Sequence, residues 1–545
     1  MHNTHKLRIL NFGGIHVKVI RVGASIFVIL AGLYATGCGS STATTPNGTQ
    51  NSSNAGEGKV LTVATLGDPP TLDPQSTTAN ITADDMQGVF QYLFSFGKDY
   101  KLVPMLASKY EVTPDGKLYT ITLRQNVLFH NNQEMTSADV VASLERWLKV
   151  SPIGKADDKN YGLKITADGK YTVKIQLNKP YAELPVDLGW WYGGPAIYPA
   201  SVCKESGTGP LKSFIGTGPY QFVKWVPGQY LEVKKFLKYS QIDLPTDWYA
   251  GKVTGNVDVI KYVPVPNVQT RVAGLISGQY DVAESLDAAS YQQIANNPNV
   301  VPEIVKPFGY PIIVFNKAQG IMSNVKVRQA FLAALNMNDL MLAGFGDPKF
   351  FDVTASFYPK QQPQWYSTAG EGQYNQNNPQ KAHQLLQEAG YKNQPIRWLV
   401  SQQYPFLYKA AQAAVPELQK AGFNVQLDVV DWATLTQKRN DPTAFDAFFT
   451  YSSFSPEPPI GAAWLSASWP GFWKDATKDE LVNKLAATVD ENERKKIWDQ
   501  IQAYTYQQVP IISLGQFYNF EAISKRVQGF VPTYSPFFYD VTLSD

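Results

Sequence analysis

The side chains that most readily carry nucleophilic or metal chemistry near neutral pH are scarce in this 545-residue chain. Beyond residue 37 the only histidines are His130 and His383, far apart, and the only cysteines are Cys38 and Cys203. No Gly-x-Ser-x-Gly, His-Glu-x-x-His or Cys-x-x-Cys spacing occurs, so the templates for an activated serine, a zinc hydrolase and a dithiol site are missing. Direct coordination of a borderline metal would want imidazole or thiolate ligands that are not grouped here. The chain is therefore expected not to be an enzyme and to need no metal or cofactor. A secreted hydrolase is kept as the remote alternative, because a pair of carboxylates drawn from distant segments leaves no trace in spacing.

Rings are abundant instead, at 13% of the chain. Tyr451, Phe454, Trp464, Trp469, Phe472 and Trp473 crowd a stretch broken by Ser, Pro and Gly, and Trp190-Trp191-Tyr192 forms a second cluster. Aromatic side chains bury large apolar faces while Tyr and Trp keep a donor, which suits both peptide side chains and sugar rings. Interruption by turn residues marks the first cluster as binding loops rather than core.

What positions these residues begins with an export segment. Residues 1–37 carry Lys6, Arg8, Lys18 and Arg21 without an acid, and the apolar run that follows is too short to span a bilayer comfortably. This reads as a signal peptide. It ends in Ala35-Thr36-Gly37-Cys38, which resembles a bacterial lipobox and implies diacylglyceryl attachment at Cys38. Residues 38–58 are rich in Ser, Thr, Asn and Gly and read as a flexible, lipid-anchored linker. Cys203 is then alone and is expected to be a buried packing residue. Losing the signal takes four positive charges from the formal +2. The near-neutral remainder argues against nucleic acid, and about 490 residues exceed what one core holds.

The richest local pattern runs from Val103 to Leu148. Pro114-Asp115-Gly116 has turn chemistry, and Leu118 to Leu123 alternates as a half-buried strand. Thr136 with Asp139 three residues on makes a helix start before Val140, Val141, Leu144 and Trp147. Together with Pro104 to Tyr110 and Phe129 to Asn132, these elements resemble the signature segment of the dipeptide, oligopeptide and nickel group of ABC-importer solute-binding proteins. Lys59 to Pro74, Phe214 to Trp225, Gly274 to Val282, Ile312 to Asn316 with Val325 to Ala330, and Pro379 to Tyr391 continue the resemblance in order.

The resemblance implies an α/β, two-lobed periplasmic-binding-protein fold with two crossover segments and an extra subdomain in the first lobe. The crossovers are expected near Phe308 to Asn316 and Gln516 to Ala522. The expected division is 59–91, 214–310 and 519–545 for lobe one, 92–213 for its subdomain, and 311–518 for lobe two. It also implies a monomeric extracytoplasmic receptor, anchored by its lipid, that captures a short peptide or similar small solute and hands it to ABC permease membrane subunits and their ATPase subunits.

Peptide-binding relatives place an Asp-Pro acid in the aromatic loop to pair with the ligand's ammonium group. The corresponding acid here is Glu457, before Pro458. The expected ligand set is Glu457, Tyr451, Ser452, Phe454, Trp473, Tyr310 and Trp190. With Glu in place of Asp, an oligosaccharide or a metal chelate remains an alternative ligand.

Overall fold

The computed structural model describes residues 58–544. The expectations for the signal segment, for Cys38 and for the linker up to Glu57 fall outside the described residues.

Local patterns fold as their chemistry dictates. Strands Ala107–Val112 and Leu118–Leu123 pair antiparallel around a turn in which Gly116 takes φ +66°, a conformation that a side chain would resist. Strands Thr172–Gln176 and Lys164–Ala167 complete a four-stranded sheet. Helix Ser137–Val150 starts where the Asp139 carboxylate accepts from both the backbone N–H and the hydroxyl of Thr136, each at 2.9 Å. Its apolar face, Val140, Leu144 and Trp147, is fully buried over that sheet. The loop from Pro69 to Pro74 is tied to this helix by Asp73, which meets Arg146 at 2.6 Å and the Tyr198 hydroxyl at 2.9 Å. In Gly216-Thr217-Gly218 a Cβ on either glycine would collide with the carbonyls of Val89 or Gly88, so the segment lies flat on neighbouring backbone.

A twelve-stranded mixed sheet runs through both lobes. Its order begins Tyr220–Val226, Tyr230–Lys235, Val259–Pro264, Val60–Thr65 and Val282–Ala283, passes through Gln516–Ser524 and Val300–Phe315, and ends Ala447–Ser453, Ile396–Val400 and Val425–Val429. The two central strands are the crossovers. Val300–Phe315 pairs with Gln516–Ser524 from Val300 to Val305, shifts register, and from Gly309 onward pairs with Ala447–Ser453. One core gathers around Leu61, Tyr220, Tyr262 and Phe538, and another around Ile313, Phe331, Trp398 and Trp498. Cys203 is buried with a free thiol. Among the described residues no helix is long and apolar enough to cross a membrane.

Candidate functional site

The crossover strands set the floor of a cleft of about 970 Å³ between the lobes. A β-strand presents every second residue to one face, and Phe517, Asn519 and Glu521 of Gln516–Ser524 all line it. The crossing had been visible in the sequence, so this alternation was the available signal for three lining residues that the sequence reading missed.

Aromatic rings form an unbroken chain across the cleft. Trp190 meets Tyr192 at 5.1 Å, Tyr192 meets Tyr534 at 5.7 Å, and Tyr534 meets Phe308 at 5.1 Å. Phe308 packs on Phe517 at 5.6 Å, Phe517 on Tyr451 at 5.7 Å, Tyr451 on Tyr404 at 5.6 Å and Tyr404 on Trp432 at 4.6 Å. Every one of these rings lines the cleft. On the second-lobe side Arg439 lies 5.7 to 5.9 Å from the rings of Trp432, Phe448 and Trp469. Its Nε is buried without a hydrogen-bond partner among the described residues, and burial lowers its pKa.

The first-lobe side is acidic. Asp84, Glu284 and Glu521 line the cleft, and burial pushes the carboxyl of Asp84 up to about 7 and that of Glu284 up to about 8. Glu521 is raised well above the usual range, first by burial and then by Glu284 and Asp84. Asp84 accepts from the hydroxyls of Tyr192 and Ser535. Arg271 also lines the cleft, but its donors go to the carbonyls of Glu284, Val265 and Ser285.

Of the residues expected from sequence, Trp190, Tyr451, Ser452 and Phe454 come together on the cleft lining. Glu457, Tyr310 and Trp473 lie outside that lining. Glu457 is spent on an ion pair with Arg494, whose guanidinium also lies 3.4 Å from Glu183. Tyr310 is turned into the second-lobe core, donating its hydroxyl to the Gly461 carbonyl at 3.2 Å. Trp473 stacks between Trp464 and Tyr504. Asp84, Glu284, Tyr404, Trp432, Arg439 and Tyr534 were also missed, and no local pattern marks them.

The profile of the bacterial extracellular solute-binding proteins, family 5 Middle, matches residues 101–472. A probable peptide ABC transporter periplasmic-binding protein, y4tO, of Sinorhizobium fredii is 26% identical over 506 residues, covering 86% of this chain and 91% of that one. The glutathione-binding protein GsiB of Pectobacterium atrosepticum is 27% identical over 493 residues, covering 84% and 89%. Among solved structures, AgaA of A. tumefaciens R10 in complex with agropinic acid superposes with a TM-score of 0.71 at 28% identity, covering 89% of this chain and 99% of that one. The substrate-binding protein CtaP of Listeria monocytogenes gives 0.78 at 20% identity, covering 90% and 100%, a likeness of fold. With a family profile spanning most of its length and a two-lobed fold around an aromatic cleft, the chain belongs to the bacterial extracellular solute-binding proteins of family 5.

Proposed function

We propose that this solute-binding protein captures a short peptide or a peptide-like amino-acid derivative and delivers it to an ABC permease and its ATPase subunits. The observation that carries this reading is the ring chain from Trp190 to Trp432, which bridges both lobes along a cleft of about 970 Å³. Such a floor offers apolar faces to successive side chains, and closing two lobes on the solute removes both faces from water. Peptide and glutathione binding by the relatives supports the same solute class. Trp190, Tyr451, Ser452 and Phe454 are its ligand contacts, and Arg439 takes a carboxylate of the solute.

The rest of the reading is a monomeric receptor that performs no chemistry on its solute, with lobe boundaries near residues 92, 214, 311 and 519 and a lipid on Cys38. Native mass spectrometry of the protein purified from its host without denaturation tests the solute: a ladder of short-peptide masses is expected, and a single sugar mass would overturn the peptide reading. Labelling with a palmitate analogue tests the anchor, which Cys38→Ser should abolish.

A further inference from the structure

The first-lobe corner of the cleft gathers more acids than the fold pairs. Glu303 and Glu521 stand directly opposite each other on the paired crossover strands, a like-charge pairing that costs stability in a sheet. On the other side of Gln516–Ser524, strand Val282–Ala283 pairs with Ile523 and Ala522, and Glu284 follows it immediately. Asp84 joins from helix Asn80–Met86. No lysine or arginine forms an ion pair with Asp84, Glu284 or Glu521 among the described residues. Arg271, whose charge acts on Glu284, gives its hydrogen bonds to backbone carbonyls.

One of these groups points to a missing partner. Glu521 is 1% exposed and lines the cleft, yet its Oε2 has no hydrogen-bond partner among the described residues. A buried carboxylate oxygen without a donor bears an uncompensated loss of hydration, and natural proteins keep such atoms where something else completes them. Among the described residues no three His, Cys, Asp or Glu side chains stand close enough to enclose a metal ion, so the three acids line the corner at a wider spacing than a small ion needs. An ionised carboxylate or sulfate brings only acceptors to an oxygen that lacks a donor. An organic cation brings the N–H donors and the charge together.

We infer that Asp84, Glu284 and Glu521 form a subsite for an ammonium or guanidinium group of the solute, with Glu521 as its principal acceptor. This deepens the peptide reading and rests on it only for the rest of the solute. Burial raises the carboxyls of all three, and neighbouring acids add to the rise at Glu284 and Glu521. An arriving cation favours the ionised forms, so binding releases protons to solvent.

The test is a titration followed by tryptophan fluorescence and calorimetry, using trialanine, N-acetyltrialanine, N-acetyl-Ala-Lys-Ala, agmatine and maltotriose on the intact protein. Trialanine or N-acetyl-Ala-Lys-Ala should bind at least roughly thirty-fold more tightly than N-acetyltrialanine, the scale for losing one partner of a desolvated charge pair. Which of the two binds identifies a terminal or a side-chain cation. Glu521→Gln, and separately Glu284→Gln, should abolish that preference, and the acetylation arm needs no variant at all.

Equal binding of trialanine, N-acetyl-Ala-Lys-Ala and N-acetyltrialanine, unmoved by Glu521→Gln, would overturn the subsite and leave the peptide reading standing. Agmatine bound through Glu521 with both peptides refused would keep the subsite and sink the peptide reading. Binding of maltotriose alone, or of none of the five at millimolar concentration, would overturn the subsite.

Discussion

Two groups of buried acids stand in this molecule, and they differ by one guanidinium. At the cleft, Asp84, Glu284 and Glu521 have no ion-pairing cation among the described residues. At the far contact between the lobes, Glu183, Asp187 and Asp157 on the first-lobe side meet Glu457 on the second-lobe side, and Arg494 sits among them. Arg494 belongs to helix Glu491–Gln508, whose Ile497 and Trp498 lie in the second-lobe core, whereas Leu184, beside Glu183, lies in the core of the four-stranded sheet. The pair therefore joins two cores. Burial raises the carboxyl of Glu183, and the charge of Glu457 adds to it, because one guanidinium cannot neutralise four acids. The far group has its counter-ion built in, and the cleft group must import one. That difference separates a structural use of buried charge from a recognition use.

The strongest way to break the comparison is to remove the built-in cation. Arg494→Met strands Glu457 and Glu183 and should cost about 3–5 kcal/mol of stability, the range for breaking a buried ion pair from one side. Urea unfolding at pH 8 and pH 5 reads it. The loss should be smaller at pH 5, where the acids can take up protons. A loss below 1 kcal/mol at pH 8 would show that the far group is no better paired than the cleft group.

Next in size is the pH dependence of the unliganded protein. Asp84 and Glu284 have native pKa values raised to about 7 and about 8, above ordinary unfolded values near 4. Between these limits the native state holds protons that the unfolded chain has lost. Their contribution is therefore fully present below pH 4 and disappears as pH rises through 8, with a slope of up to about 1.4 kcal/mol per pH unit per group. The charged groups facing the trio are Asp85 with Asp68 behind it, Glu303 and Arg271. Glu284→Gln should flatten the slope between pH 5 and 8, and a saturating cationic solute should do the same. The far group also contributes, since Asp187 is raised to about 7, but no solute should change its share.

Arg439→Met probes the opposite wall of the cleft. Affinity for a peptide with a free carboxylate should fall by about 2 kcal/mol, and affinity for its C-terminal amide should change little. Calorimetry with both peptides measures the difference. An equal loss for both would make Arg439 a support for Trp432 and Trp469 rather than an anchor.

What could be read from the sequence follows how far apart interacting residues lie. The Pro114-Asp115-Gly116 hairpin and the Thr136 with Asp139 helix start depend on neighbours within a few positions, and both form. The aromatic loop was half legible. Tyr451 and Phe454 face the cleft, but Trp473 and Tyr310 went to the core, because a ring is equally at home in either place and only packing decides. The acid corner was illegible. Its members come from residues 84, 284 and 521, and nothing near any of them in the chain signals the meeting.

Glu457 makes the same point in one residue. The motif marks it as the ammonium anchor, but Arg494 lies 37 residues further along, and Glu183, the other acid on that guanidinium, 311 residues before Arg494. No inspection of the loop could have found either. If the motif decided, Glu457→Gln would cost a peptide with a free amine more than about 2 kcal/mol of affinity. With the carboxylate held by Arg494 and outside the cleft lining, the expected cost to affinity is within about 0.5 kcal/mol. A stability loss of about 1 kcal/mol should appear instead, because the amide still offers an oxygen to the guanidinium but not a charge. The outcome that would restore the motif reading is a loss of affinity with stability intact, since it would require Glu457 to leave Arg494 when the solute arrives.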